Sequence, residues 1–473
     1  TVTVPAGSAA NYNSGFAYVT LPTPIHLPAG QYTVLAYGMC VDGIDLEGDD
    51  AANISFNNSA NMTMGGGCYD FTSQGSPNYP GSPGDVSTGW NIGSWDYNSA
   101  SASFIYTDSV AGAPATWAGG GGDSNWSTSG NWNVPLVSPT SLTFAGSTGL
   151  VNTNDLSGFA ATSITFDAAA GAFVLGGNAI QLGGIGFNGN PATPITQTVN
   201  LDMALSAGIT IDTPTNGNLN LAGNITSVAD IFKTDAGTLT FGGTNTIQNL
   251  DVNGGTNIIT GSTTLIGDNQ YGYNRFYVGN GHVGDAGAVA HCNGTLIIQP
   301  GATFSVTGRF NDAAVVGRDG GSGTVIQNGG TFTFNPDNQT LFLIAATGDS
   351  ATRAEYDMNG GLFDMSGKEL TAGFGPTTST GLLNQVSGVI TNVGNLHVPW
   401  QGGSAGYGAY TLSGGSIYIG SGGISSDGPS YAINLGGGTV AAQANWGSSM
   451  NMTLTGSNGP VTFNPKGNTI TLT

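Results

Sequence analysis

The sequence predicts an all-β protein, with a β-sandwich or jelly-roll-like head over residues 1–113 followed by a long parallel β-helix (β-solenoid). Two observations predict it. Glycine accounts for 80 of the 473 residues and charged residues for only 7%, yet the hydrophobic share is 39%. Thr, Ser and Asn alternate with apolar residues, and Gly and Asn supply the positive-φ positions of many turns. The second observation is an internal repeat at a spacing too long for a single strand and too short for a propeller blade, which needs about 40 to 50 residues.

The head comes first. IHLPAGQYTVLAYGMC alternates apolar and polar residues around Tyr32, Val34 and Ala36, as a half-buried strand does. WNIGSWDYNSASASFIYT places Phe104 and Tyr106 on one face, and the Pro- and Gly-rich SQGSPNYPGSPGD lies between the two. Short strands with rich turns suit a sandwich, and SVAGAPAT then reads as a linker. Cys40 and Cys68 both lie in the first hundred residues, where a disulfide between them would fit an oxidising compartment, whereas Cys292 stands alone. The densest acidic cluster, DGIDLEGDD, offers Asp42, Asp45, Glu47 and Asp49, with Asp50 beside them. Hard cations take several oxygens from a Gly-turned loop, so calcium is a candidate ligand there; a solvated acidic loop is the alternative.

Residues 114–135 form a Trp- and Gly-rich lead-in, TWAGGGGDSNWSTSGNWN, containing Trp117, Trp126 and Trp132. The first coil of a solenoid exposes an apolar end that needs covering. The three tryptophans are therefore expected to cap the core, with stacking on sugar rings as the alternative.

Residues 136–473 carry the repeat. Its clearest units are IIQPGATFSV, VIQNGGTFTF, YDMNGGLFDM, LNQVSGVITN, YTLSGGSIYI and INLGGGTVAA. Anchored on Gly301, Gly329, Gly360, Ser387, Gly414 and Gly437, they lie 28, 31, 27, 27 and 23 residues apart. Four positions before the anchor stand Ile297, Val325, Tyr356, Leu383, Tyr410 and Ile433; three after it stand Phe304, Phe332, Phe363, Ile390, Ile417 and Val440. Strand, tight turn and strand, stacked ~4.8 Å apart, turn these columns into a continuous core. Coils of 23–31 residues are expected, about a dozen in all, with TGDSATRAE bulging out as a loop. Gln299, Gln327 and Gln385 recur two positions before the anchor and fit either an amide ladder or solvent-facing sites.

KTDAGTLTFGGTNT, residues 233–246, resembles the K-T-G-x-G-T-L-T-L-x-G-x-N-T repeat of the autotransporter-associated β-strand repeat proteins, secreted passengers of bacteria. The Trp-rich lead-in, SLTFAG and SITFDAAAGAFVLGGNAIQLGGI are similar to the way such solenoids begin. The resemblance covers residues 114–260 and implies a right-handed β-helix displayed or released outside the cell. Only one good copy of the Lys-Thr repeat is present, and no translocation barrel follows it.

Charge narrows the partners. There are 28 acidic against 7 basic residues, a net charge of −21, and residues 1–232 contain no Lys or Arg. Phosphate backbones are gripped by clustered cations, so nucleic acid and anionic membrane surfaces are poor partners; glycans, cations and other copies of the chain remain. No apolar run approaches the ~20 residues of a membrane-spanning helix. The chain opens directly on TVTVP, as a processed secreted protein would, so an extracellular or cell-surface location is expected.

Catalytic signals are sparse. NTND at 152–155 and GNGH at 279–282 partly match a polysaccharide hydrolase set, but paired aspartates and Arg-Ile-Lys are missing. Arg318-Asp319 is the nearest lyase-like pair. His26, His282, His291 and His397 show no metal-ligand spacing, although His291-Cys292 offers two soft donors. The expectation is a non-enzymatic structural protein: a stiff rod with an adhesive or scaffold role that assembles head to tail by strand pairing. A glycan-binding adhesin or polysaccharide-cleaving β-helix enzyme is the alternative.

Overall fold

The computed structural model describes residues 112–473 apart from 268–275, 283–287, 290, 310–313, 339–340, 347–351, 376–378 and 401–405. Earlier in the chain it describes four short strands. The chain divides into two units, Thr1–Val110 and Ala111–Thr473. In the first, Asn11–Asn13 pairs antiparallel with Phe16–Tyr18, and Tyr69–Asp70 with Trp90–Asn91. The expected calcium loop (Asp42, Asp45, Glu47, Asp49), the Cys40–Cys68 bridge and most of the sandwich lie outside the described residues.

The second unit is a parallel β-solenoid. Each coil passes through three faces. Asn293–Ile298 lies on the first, Thr303–Arg309 on the second and Ala314–Arg318 on the third; Ser322–Gln327 then returns to the first face one coil on. The first face is a single sheet of 13 strands, from Val151–Asn154 to Thr453–Leu454. Further along, Val389–His397 and Ser416–Ser425 each run through both remaining faces as one strand, with register shifts where they bend.

The repeat spacings reappear as strand register. On the second face Thr303, Thr331, Leu362, Val389, Ser416 and Thr439 lie opposite one another in succession, offset by 28, 31, 27, 27 and 23 residues. Phe304, Phe332, Phe363, Ile390, Ile417 and Val440 therefore form one column, each fully buried. Burying such a side chain contributes roughly 1.5–3 kcal/mol. The rings also pack on each other, Phe332 and Phe363 stacking at 4.7 Å and Tyr356 and Phe363 at 5.0 Å.

The first-face column differs in one member. Leu296, not Ile297, lies opposite Val325 and is fully buried, while Ile297 is half-exposed. The turn QPGA is one residue longer than NGG, so counting back from Gly301 lands one place off. Coil length also varies beyond 23–31 residues. Thr238 faces Thr256, an offset of 18, whereas Gly254 faces Asn293, an offset of 39. The loop expected over residues 347–355 is shorter, because Arg353–Met358 is already a first-face strand.

Candidate functional site

The three lead-in tryptophans are buried at 2%, 1% and 5% exposure. Ala115–Trp117 is itself a strand, pairing in parallel with Leu142–Phe144. Trp132 meets both Trp117 and Trp126 edge-on, at 5.1 and 5.8 Å, and all three rings pack around Phe144. Each indole N–H donates within the fold: Trp117 to the Thr148 carbonyl, Trp126 to Asn152 Oδ1 at 2.7 Å, and Trp132 to the Trp126 carbonyl. A sugar-stacking platform needs an open ring face, and these rings have none. Asn152, the first residue of NTND, is occupied by Trp126, while Asn154 is buried and donates to the Asn178 carbonyl.

The glutamine column splits. Gln299 is the first residue of the longer turn and lies half-buried outside the column, opposite neither of the others. Gln327 and Gln385 are fully buried, which excludes solvent-facing positions, and they do not form a ladder with each other. Each instead pairs with a tyrosine one coil on. Tyr356 donates to Gln327 Oε1 at 2.7 Å and Tyr410 to Gln385 Oε1 at 2.9 Å. The amide nitrogens reach the Leu362 and Ser416 carbonyls. Burial drives both phenols far above the usual tyrosine range.

Lys233, the lysine of the Lys-Thr repeat, is also fully buried. Its ammonium donates to the carbonyls of Thr234, Asp235 and Gly254, tying its own turn to the next coil. Desolvation pushes it down to about 8, against the pull of Asp235 and Asp212.

The Cys292 thiol is buried and pushed up to about 11 by desolvation, so it stays protonated and is a poor metal ligand. Among the described residues no group of three or more His, Cys, Asp or Glu is placed to hold a metal ion. No described helix is long and apolar enough to cross a membrane.

The outward side of the third face gathers the polar chemistry. Near its middle, two catalytic candidates meet: His282 Nδ1 lies 2.6 Å from Asp319 Oδ2, and Arg318 donates to the Tyr277 hydroxyl at 2.7 Å while its guanidinium sits over that ring. With the Arg318–Asp319 contact at 3.8 Å they make an ion-pair and cation–π cluster.

Further along, His397 and Ser425 lie opposite one another in register, as do Glu369 and Asn395. His397 Nδ1 is 3.1 Å from Ser425 Oγ, and Nε2 is 3.2 Å from Glu369 Oε2. The imidazole is 8% exposed and stacks on Trp400 at 5.1 Å. Asn395 reaches Nε2 at 3.0 Å and Ser425 Oγ at 3.3 Å with its two amide atoms. Ser425 also borders an open cavity of about 400 Å³ lined by Ser426, Ser448, Ser449 and Met450. The sequence signals for this cluster were faint, since its residues lie 28 positions apart on successive coils and share no local motif.

Comparison with protein-family models, with curated proteins and with solved structures finds no match.

Proposed function

We propose that the protein is an extracellular structural protein, a stiff β-solenoid rod with a scaffold or adhesive role, which adds to a second copy of itself by strand pairing. What supports this reading is the regular parallel stacking of the coils, and the coil over residues 453–472 repeats it. Its strands Thr453–Leu454, Val461–Asn464 and Ile470–Leu472 each pair on one side with the preceding coil. Leu454 is 62% and Leu472 49% exposed, and Val461, Phe463 and Ile470 are only partly covered.

Natural edge strands are normally protected by charge or proline within the edge. From Gly428 to Thr473 the only charged side chain is Lys466, in a molecule whose net charge is −21. The edge of this coil is of the kind that each earlier coil presents to the next and is nearly free of charge, although Pro460 and Pro465 flank its middle strand. A parallel coil from another copy is the occupant that matches this edge, and a contact that repeats without closing grows a filament.

The test is light scattering and negative-stain microscopy of the full chain over a concentration series, beside Thr462→Pro. The substitution removes a backbone donor in the edge strand. Filaments or end-to-end oligomers that disappear in the variant are expected. A wild-type chain that remains monodisperse at high concentration would sink self-assembly.

A further inference from the structure

The Ser425–His397–Glu369 cluster goes beyond a structural rod. We propose that it is a hydrolytic centre for small neutral carboxylic esters, with Ser425 as nucleophile, His397 as general base and Glu369 as the carboxylate that orients and stabilises the imidazole.

The geometry is that of an activated hydroxyl. A serine is a weak nucleophile unless a base within hydrogen-bond reach takes its proton, with a third group fixing the base. Ser425 Oγ and Glu369 Oε2 stand at opposite ring nitrogens of His397, at 3.1 and 3.2 Å. With Nε2–H donating to the carboxylate, Nδ1 is left as acceptor for the Ser425 hydroxyl. Amide oxygen and nitrogen are assigned from their partners. In the structure Asn395 turns its NH₂ towards Nε2 and its oxygen accepts from the Ser425 hydroxyl; with the amide turned over, its oxygen accepts from Nε2–H and its NH₂ stands as a donor beside the serine. Trp400, stacked on the imidazole, holds the ring in plane.

These residues meet because the solenoid is regular. Parallel coils ~4.8 Å apart place facing side chains within contact range. Register sets His397 opposite Ser425, and Glu369 enters diagonally through the neighbouring column, opposite Asn395.

The cavity selects the substrate class. It lies on the side of Ser425 towards the following coil, lined by serine and threonine hydroxyls with Ile424 and Met450, and has no charged side chain in its wall. That lining suits a short uncharged acyl group. Ser425 Oγ would attack the ester carbonyl carbon, forming a C–O bond while its proton passes to His397 Nδ1. Collapse of the tetrahedral adduct breaks the bond to the alcohol, which leaves with the proton from Nδ1. Water then attacks the acyl-serine through the same nitrogen, releasing the carboxylic acid and restoring the serine.

The experiment treats the full chain with a fluorophosphonate probe, maps the modified peptide by mass spectrometry, and measures p-nitrophenyl acetate hydrolysis. Labelling is expected at Ser425. Turnover should be abolished in Ser425→Ala and lowered about 10²-fold or more in His397→Gln, with circular dichroism matching the wild type. The labelling of the wild type needs no variant to fold. An unlabelled Ser425 in the folded wild type, or hydrolysis that survives Ser425→Ala, would overturn the proposal and leave the cluster a polar ladder between coils.

Discussion

Tyr410 and Gln385 show how a polar pair can sit inside a coil without weakening it. Both are fully buried, and among the described residues the phenol supplies the one hydrogen bond to Gln385 Oε1. Tyr410→Phe keeps the ring but leaves that oxygen unpaired, at an expected cost of about 1–3 kcal/mol. Adding Gln385→Leu should recover part of the loss, and a denaturant double-mutant cycle reads the coupling. Strict additivity would show that the pair is not a unit. Lys233 gives a pH signature instead. Its folded pKa is about 8 against 10.5 for the free side chain. Below pH 8 both states hold the proton, so the cost of burying the ammonium is fully present. Above it the folded state loses the proton first, the unfolded chain binds more, and stability rises with pH towards 10.5. The stability difference between the wild type and Lys233→Met should therefore shift in favour of the wild type between pH 7.5 and 9, by a share of on the order of 3 kcal/mol. A pH-independent difference would contradict this. Cys292, pushed up to about 11, is common to both proteins and cancels in the comparison.

At the scale of the element, the turn between first and second faces decides where glycine is required. Gly330, Gly361, Gly388, Gly415 and Gly438 all have positive φ, and a Cβ on Gly361 would come within 2.3 Å of the Gly330 carbonyl oxygen. The residue before each has no positive φ, and a Cβ on Gly360 would come no nearer than 3.1 Å to the Asn328 carbonyl oxygen, so Ser387 can stand where Gly360 and Gly414 do. Gly361→Ala should cost at least 1–2 kcal/mol from the left-handed backbone alone, whereas Gly360→Ser should cost little; thermal unfolding of the two variants separates them, and equal losses would refute the distinction. The same turn explains what the sequence disclosed. The apolar columns were legible because side chains alternate strictly and the Gly-Gly turn keeps its length in five of six units. Ile297 was misplaced because Pro300 and Gly301 sit in a turn one residue longer. Gln327 looked like a surface or ladder residue because its partner, Tyr356, is 29 positions away and belongs to a column of its own. His397 and Ser425 were silent for a related reason. They lie beyond the register shifts between Ile390 and Asn395 of the paired strands, so no fixed spacing from the glycine turn points to them.

For the whole molecule, charge and shape act together on assembly. Thirteen first-face strands at roughly 4.8 Å give the solenoid a length of roughly 60 Å. The net charge of −21 makes any two copies repel, but residues 428–473 contribute only Lys466 to it. In the proposed assembly, attraction at the coil over residues 453–472 is therefore short-ranged, from backbone pairing and from apolar side chains such as Leu454 and Leu472, while repulsion comes from the rest of the chain and acts through solvent. Salt screens the second without weakening the first. The Debye length falls from about 30 Å at 0.01 M salt to about 8 Å at 0.15 M, from half the length of the solenoid to less than two coil spacings. Head-to-tail association should accordingly strengthen as salt is raised over this range, and light scattering at fixed protein concentration measures it. Association that weakens with salt would mean that ion pairs between copies hold the contact, which an almost uncharged edge cannot supply, and that coil would then not be the joining surface.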